Sequence, residues 1–251
     1  MVCYTTNMSN YKIIVQYNGA NYSGWQIQEN KNTIQGCLQQ AIYNVTAENT
    51  EVNGCGRTDA GVSAMAAVAN FFINQEFEPN KLGRAINAHL PADIAVLSCE
   101  IVPDAFNARF DAKFKTYHYY FYVSGARNPL LDKFALQVKN ANVAVMMDAC
   151  KHLIGTHDFK SFVARNSGKT NFERTIYKAG IEQVNGNLYR FSVCGNGFLY
   201  NMVRIIMGTL ILIGEGKRKP EAMRDIILAK DRTKAGKTVD PIGLMLYNVE
   251  Y

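Results

Sequence analysis

The chain has 251 residues, of which 48% are hydrophobic, and it carries a formal net charge of +6. This composition is typical of a globular protein with a sizeable core, arranged as one large domain or as two domains of about 100–150 residues each. The six cysteines and four histidines lack zinc-finger spacing, and the most apolar stretch, residues 198–214, is too short and too charged for a membrane span. We therefore expect a soluble cytoplasmic protein with reduced thiols.

The positive charge is concentrated in the second part of the chain. Residues 1–150 contain 11 Lys and Arg against 12 Asp and Glu, a net charge of −1. Residues 151–251 contain 16 against 9, a net charge of +7. A basic half beside a neutral half indicates a polyanionic partner, most simply a nucleic acid. The alternative is a basic face that is merely solvated.

The first half alternates strands and helices. Residue patterns of period two predict strands over residues 11–17, 52–55, 65–73 and 94–102. Helical spacing predicts one helix capped by Thr33 and ending near Val45, and a second that Pro79 opens and that ends near His89. The resulting β-α-β-β-α-β order suits a ferredoxin-like α+β half.

The second half follows after a crossing over residues 103–107. An aromatic strand is expected over residues 109–123, and Asn185-Gly186-Asn187 predicts a hairpin between strands over residues 173–184 and 188–193. Helices are expected over residues 142–154, 198–214 and 220–229, a polar loop over 156–170, a basic loop over 230–238 and a closing strand over 244–249.

These elements predict an α+β fold of two ferredoxin- or RRM-like halves. We expect their mostly antiparallel sheets to join into one extended sheet, with an active-site cleft between the halves. The predicted divisions are a disordered N-terminal extension at residues 1–10, an N-terminal domain at 11–103 and a basic, RNA-binding C-terminal domain at 104–251.

The stretch GCGRTDAGVSA, residues 54–64, places three glycines around one acid, Asp59. Glycine lets the backbone approach a ligand closely, so an ionisable side chain in such a turn is a candidate site residue. In an extended segment residues i and i+2 point the same way, so Arg57 can orient Asp59 and keep it ionised. The alternative is an ordinary turn in which Asp59 caps a helix that begins near Val62.

The GRTDAG motif resembles the active-site signature of the TruA family of tRNA pseudouridine synthases, in which this Asp is the catalytic residue. The family usually continues G-V-H-A, whereas this chain has Ser63 in place of the His. The resemblance covers nearly the whole chain, with further similar segments at residues 17–28, 109–117, 155–162, 174–176, 196–204 and 238–251. The last segment departs from the family at Val239-Asp240-Pro241.

Pseudouridine formation cuts the uracil–ribose C–N bond, rotates the base and rejoins it through a C–C bond. The reaction is redox-neutral, so the resemblance implies that no metal, nucleotide or redox cofactor is needed. The reaction does need a carboxylate, which either attacks the ribose C1′ or takes a proton from C2′. We choose Asp59 for this role and leave the two routes open.

The resemblance also implies the remaining site residues. Arg57 and Arg204 are the expected cations near Asp59. Arg204 lies inside an apolar helix, where an Arg needs an anionic partner. Tyr117 is expected to stack on the uracil and to act as the base at C5, and Leu244 to supply an apolar wall. Without the resemblance, the sequence would predict that Tyr117 and Leu244 are ordinary core residues.

The expected partners are tRNA and a second copy of the chain. The resemblance implies a homodimer that acts on the uridines at positions 38, 39 and 40 of the anticodon stem-loop. A base in a stack has to be flipped out before it reacts, at a cost of a few kcal/mol. Contacts to phosphates would offset that cost, and the candidates are Lys160, Arg165, Lys169, Arg174, Lys217, Arg218, Lys219, Lys234 and Lys237.

Three other functions remain open on the sequence. The first is a non-catalytic tRNA-binding protein on the same scaffold, which would not require Asp59, Arg57 and Tyr117 together. The second is a glycosidase, which needs a second carboxylate, for which Asp111 and Asp158 are the candidates. The third is a synthase of the same family that acts on other tRNA uridines.

Overall fold

The computed structural model describes residues 8–164 and 170–251. Over these residues the chain is mixed α+β, with a large, open, mostly antiparallel sheet, which confirms the predicted fold class. Two compact units are present, one of residues 8–113 with Leu246–Tyr251 and the other of Phe114–Met245. Residues 1–7 of the predicted N-terminal extension lie outside the described residues, and Ser9 and Asn10 already belong to the first strand.

The first unit has the predicted order of strands and helices. Its strands are β1 (Ser9–Tyr17), β2 (Asn53–Gly54), β3 (Ser63–Ile73) and β4 (Ile94–Val102), and its helices are α1 (Ile34–Thr46) and α2 (Pro79–Ala88). Strand β1 pairs antiparallel with both β3 and β4, and β2 pairs with the middle of β3. The Thr33 hydroxyl accepts the backbone N–H of Gly36, so the predicted cap of α1 is confirmed.

The core of the first unit follows from the two periods in its sequence. One face of β1 is buried, and so is one stripe of each helix, because side chains alternate along a strand and recur every three or four residues along a helix. The buried side chains include Tyr11, Ile13, Val15, Leu38, Ile42, Leu82 and Ile86.

The second unit contains most of the remaining elements. They are β5 (Phe114–Val123), β6 (Leu136–Val138), α3 (Val143–Cys150), β7 (Gly155–Asp158), β8 (Glu173–Asn185), β9 (Leu188–Gly195), α4 (Met202–Gly214), α5 (Ala222–Ala229) and the start of β10 (Leu244–Glu250). Strand β9 pairs antiparallel with β5 and β8, and β8 pairs with β7. The hairpin predicted from Asn185-Gly186-Asn187 is confirmed, whereas β6, which runs parallel to β5, was not predicted.

Three predicted boundaries were wrong for local reasons. Strand β5 begins at Phe114 rather than at residue 109, because Asn107 and Asp111 close a turn with side-chain hydrogen bonds to the backbone. Helix α4 begins at Met202 rather than at residue 198, because Asn201 adopts a left-handed conformation with φ of 61°. The predicted polar loop over residues 156–170 contains most of β7.

Helix α4 carries the basic loop, residues 230–238, on its surface. A Cβ at Gly208 in α4 would lie 2.0 Å from the carbonyl oxygen of Lys237. The buried hydroxyl of Thr209 accepts the backbone N–H of Gly236 at 2.9 Å. The loop is therefore fixed to the helix by direct backbone contact. Within residues 8–164 and 170–251 no helix is long and apolar enough to cross a membrane.

We predict that Gly208→Ala lowers the free energy of unfolding by about 1–3 kcal/mol, because the added methyl group overpacks the contact with Lys237. Urea unfolding measures this loss. Gly180→Ala in β8 is the control, since a Cβ there has no atom within 4 Å, and it should unfold like the wild type. Equal stabilities of the two variants would contradict the described contact.

Candidate active site

Asp59 lies in a turn between β2 and β3. The backbone N–H of Val62 donates to the carbonyl oxygen of Asp59 at 3.1 Å, and β3 begins one residue later at Ser63. The alternative in which Asp59 caps a helix is therefore wrong. Thr58 is buried, whereas Asp59 is half-buried and Arg57 is exposed. The turn therefore combines a buried residue, Thr58, with the half-buried Asp59 that follows it.

A second loop, residues 18–26, supports this turn through its backbone. The N–H of Trp25 donates to the carbonyl oxygen of Thr58 at 3.1 Å, and the N–H of Gly61 donates to that of Tyr22 at 3.2 Å. Gly24 has φ of +92°, and a Cβ there would lie 2.5 Å from the Thr58 oxygen. Only glycine satisfies both the conformation and the close approach. The backbone on both sides of Asp59 is therefore fixed by hydrogen bonds.

A hydrogen bond between two buried hydroxyls connects the same turn to the core. The Tyr17 phenol lies 2.9 Å from the Thr58 hydroxyl, and both side chains are excluded from water. Burial raises the pKa of the Tyr17 phenol far above its ordinary value, more than the hydrogen bond from Thr58 lowers it. The phenol therefore stays neutral, and the pair acts as an uncharged link between β1 and the turn.

Two glutamines support Arg57. Its Nε donates to the Gln26 Oε1 at 3.1 Å, and the Gln26 Nε2 donates to the Gln35 Oε1 at 2.8 Å. Gln35 is only 4% exposed, and its Nε2 donates to the carbonyl oxygen of Val52 at 3.0 Å. A buried amide whose hydrogen bonds are satisfied is rigid. The chain from Gln35 through Gln26 therefore restricts the position of the guanidinium group.

The sequence did not single out these two glutamines for a role. Gln26 belongs to the segment that resembles the family, but nothing in its spacing connects it with Arg57, which lies 31 residues later. Gln35 reads as one more polar residue of an amphipathic helix. The predicted contact between Arg57 and Asp59 stays a prediction.

Tyr117 and Leu244 both belong to the second unit. Tyr117 is half-buried on β5, and its ring packs edge-on against Phe198 with 5.0 Å between the centroids. Leu244 begins β10 and is 5% exposed. Phe198 was not predicted as a site residue, although it lies in a segment that resembles the family.

Arg204 lies in the first turn of α4, where two oxygen atoms hold its guanidinium group. Its Nε donates to the carbonyl oxygen of Val239, and its Nη1 donates to the Oδ1 of Asn201, each at 2.7 Å. The left-handed conformation of Asn201 places its side chain beside the start of the helix. The predicted pairing of Arg204 with Asp59 stays a prediction.

The predicted phosphate-binding residues occupy different surroundings. Lys217 pairs with Glu215 at 2.5 Å, and the Arg218 guanidinium donates to the carbonyl oxygen of Lys234 at 2.7 Å. Arg174 is half-buried, and burial lowers the pKa of its guanidinium group. The exposed candidates are Lys160, Lys217, Lys219, Lys234 and Lys237, and Arg165 and Lys169 lie outside the described residues.

The two carboxylates considered for a glycosidase make structural contacts. The Oδ2 of Asp111 accepts the backbone N–H of Asn107 at 2.8 Å. Asp158 pairs with Lys230 at 3.0 Å. Partial burial would raise the pKa of the Asp158 carboxyl, but hydrogen bonds from Lys230 and from the N–H of Lys160 bring it below its ordinary value. Both carboxylates thus have roles in local structure.

Comparison with known proteins identifies the family. A family model described as tRNA pseudouridine synthase matches residues 13–111 and 149–251, a range that includes Arg57, Asp59 and Arg204. The chain belongs to the tRNA pseudouridine synthase family. A tRNA pseudouridine synthase A from Thermoanaerobacter sp. (strain X514) is 44% identical over 245 residues, which are 97% of this chain and 100% of the relative.

Other relatives agree with this assignment. A tRNA pseudouridine synthase A from Clostridium acetobutylicum is 43% identical over 245 residues, and a tRNA pseudouridine synthase A 2 from Bacillus anthracis is 41% identical over 246. In each case 97% of this chain covers 100% of the relative. The synthase is therefore an isomerase, and the predicted family and enzyme class are confirmed.

The solved structures add no further support. The crystal structure of a Cbf5-Nop10-Gar1 complex matches 80% of this synthase and 54% of its own chain, so the synthase spans about half of that chain. The TM-score is 0.35 and the sequence identity is 15%. Such a likeness is too weak to carry an argument.

We predict that the hydroxyls of Tyr17 and Thr58 are energetically coupled. Thr58→Val should lower the free energy of unfolding by about 1–3 kcal/mol, because it leaves the buried phenol without its partner. The double variant Tyr17→Phe/Thr58→Val should lose less than the sum of the two single variants. Denaturant unfolding of all four proteins measures the coupling, and strictly additive losses would show that the hydroxyls do not interact.

Proposed function

We propose that the enzyme isomerises uridine to pseudouridine at positions 38, 39 and 40 of the tRNA anticodon stem-loop, with Asp59 as the catalytic residue. The observation that carries the proposal is the placement of Asp59. The residue is half-buried, and the backbone on either side of it is held by hydrogen bonds to Trp25 and Tyr22. A half-buried acid on a rigid, glycine-rich turn is suited to contact a reacting ribose.

The chemistry assigned to Asp59 has two balanced routes. In the first, the carboxylate attacks C1′ and the C1′–N1 electron pair leaves with the uracil. The rotated base then forms the C5–C1′ bond and displaces the carboxylate. In the second, the carboxylate takes the C2′ proton as the uracil leaves, which forms a C1′=C2′ double bond, and that proton returns to C2′ as C5 bonds to C1′. In both routes C5 loses a proton and N1 gains one, so the product is an isomer.

The other proposed residues act around this step. Arg57 orients and ionises Asp59, because a cation near a carboxylate favours its charged form. Arg204, held by Val239 and Asn201, is the second cation. Tyr117 stacks on the uracil and takes the C5 proton, and Leu244 provides an apolar contact to the base.

We further propose that the enzyme works in the cytoplasm as a homodimer and binds tRNA mainly through phosphates. The second half of the chain carries most of the positive charge, and its basic loop is fixed to α4 at Gly208 and Gly236. A fixed loop presents its lysines to a polyanion with little loss of backbone entropy on binding. Contacts of this kind weaken as the salt concentration rises.

We predict that tRNA labelled with tritium at C5 of uridine releases tritium with the wild-type enzyme and no added cofactor. In Asp59→Asn the rate should fall by at least about 100-fold, since the amide can neither attack C1′ nor accept a proton. The binding constant for tRNA should change little. Carbodiimide-dependent stops in primer extension should locate the products at positions 38, 39 and 40.

Asp104→Asn is the matched control, because Asp104 is an exposed acid of the same unit and should keep wild-type activity. Wild-type rates in Asp59→Asn would refute the role of Asp59. Products only at other uridines would refute the anticodon assignment. Wild-type protein that binds several tRNAs without any tritium release would refute the proposed reaction.

We also predict that Gln26 acts through Arg57. Gln26→Leu removes the acceptor of the Arg57 Nε, so kcat should fall by about 10- to 100-fold with little change in KM or unfolding temperature. Gln26→Glu keeps an acceptor at this position and should restore most of the activity. Gln40→Leu, an exposed glutamine of α1, is the control. Equal activities of the Leu and Glu variants would contradict the positioning role.

A further inference from the structure

Phe110 is the most exposed large hydrophobic residue described in the chain, with 76% of its surface accessible. Its neighbour Arg109 places its guanidinium carbon 5.4 Å from the centre of the Phe110 ring. An exposed aromatic ring gains free energy when a partner molecule covers it, because its apolar surface is then removed from water. A ring beside a cation offers that partner both a flat apolar face and a positive charge.

Phe110 projects from a turn that is held rigidly. The Asn107 side chain accepts the N–H groups of Arg109 and Phe110 at 2.9 and 3.2 Å, and the Asp111 carboxylate accepts the N–H of Asn107. Ala108 is fully buried between the half-buried Asn107 and the exposed Arg109. The ring is therefore presented by a preformed turn that needs no ordering when a ligand binds.

The turn is attached to the pair of strands, β2 and β3, on either side of the Asp59 loop. The N–H of Ala108 donates at 2.9 Å to the Oδ1 of Asn70, a buried residue of β3. Asn70 lies opposite Asn53 in the β2–β3 pair, and Asn53 immediately precedes residues 54–64. The site that presents Phe110 thus shares its support with the loop that presents Asp59.

Tyr251 provides a second connection between the two sites. Its hydroxyl donates to the carbonyl oxygen of Ala108 at 2.7 Å. Burial raises the pKa of the Tyr251 phenol, and electrostatic interactions with Cys55 and Asp111 raise it further. Cys55 belongs to the Asp59 loop, and Asp111 belongs to the turn of Phe110.

We propose that Phe110 is a stacking residue for an unpaired nucleobase of the tRNA, with Arg109 contacting the adjoining phosphate. Unpaired RNA bases are commonly bound by stacking on aromatic side chains, and an Arg beside the ring adds a contact to the backbone. Flipping a uridine out of a stem leaves an unpaired partner base that needs a new neighbour. This inference rests on the proposed function, because it requires tRNA as the substrate.

The test compares four variants of the full-length enzyme with unmodified tRNA. Phe110→Ala and Phe110→Leu should each lower kcat/KM for tritium release by roughly 5- to 100-fold, the effect expected for one lost stacked base. Phe110→Trp should restore kcat/KM to near the wild-type value. Leu130→Ala removes an equally exposed apolar side chain (75% accessible) from the other unit and should have no effect.

The Leu variant separates stacking from simple hydrophobic contact, because it keeps an apolar side chain but has no ring. Phe110→Trp also gives a direct signal, since the only native tryptophan, Trp25, is 3% exposed. Its added fluorescence should be quenched when tRNA binds. Unfolding temperatures of all four variants should match the wild type, because both positions are exposed.

The outcomes distinguish this inference from the proposed function. If the wild type releases tritium and Phe110→Ala matches it in kcat/KM and in tRNA affinity, the stacking proposal is wrong. If Phe110→Leu retains full activity, the contact is hydrophobic and not stacking. If Phe110→Ala changes only the sedimentation of the free enzyme, the ring contacts a second copy of the chain, which also overturns the proposal. Failure of the wild type to release tritium refutes the proposed function itself.

Discussion

The placement of Asp59 depends on the close approach of two backbone segments. Gly24 brings its loop so near to Thr58 that a single added carbon would lie 2.5 Å from the Thr58 oxygen. Hydrogen bonds from Trp25 and to Tyr22 then fix the turn on both sides of the acid, and the hydroxyl pair of Tyr17 and Thr58 fixes it from the core. The backbone around Asp59 therefore has a defined position, which is what the role proposed for its carboxylate requires.

Most of the fold could be predicted because its signals are local. The alternation along β1, the cap at Thr33 and the turn at Gly186-Asn187 each depend on a few neighbouring residues, and each was predicted correctly. Two of the errors came from local backbone features that the residue pattern did not indicate, a turn closed by side chains and a residue in the left-handed conformation. Asn107 and Asp111 delay the start of β5, and the left-handed Asn201 delays the start of α4.

The residues of the candidate site also fall into two groups, those that the sequence indicated and those that it did not. Asp59, Arg57 and Arg204 could be named as candidates because they lie in two segments that resemble the family, and the family itself is confirmed. Gln35 and Phe110 could not be assigned a role, because one is defined by contacts to Gln26 and Val52 and the other by its exposure. Long-range hydrogen bonds and solvent exposure are properties of the folded chain, and no periodic pattern in the sequence indicates them.

The measurement that tests this account most directly is the single-turnover rate of Asp59→Glu on tritium-labelled tRNA. Glutamate keeps the carboxylate and its charge but moves it by one methylene group from the position that the turn defines. If the rigid turn exists to place the carboxylate, the rate should fall by about 100-fold or more while tRNA binding persists. A rate within a few-fold of the wild type would show that this placement is not what the turn provides, and would contradict the account.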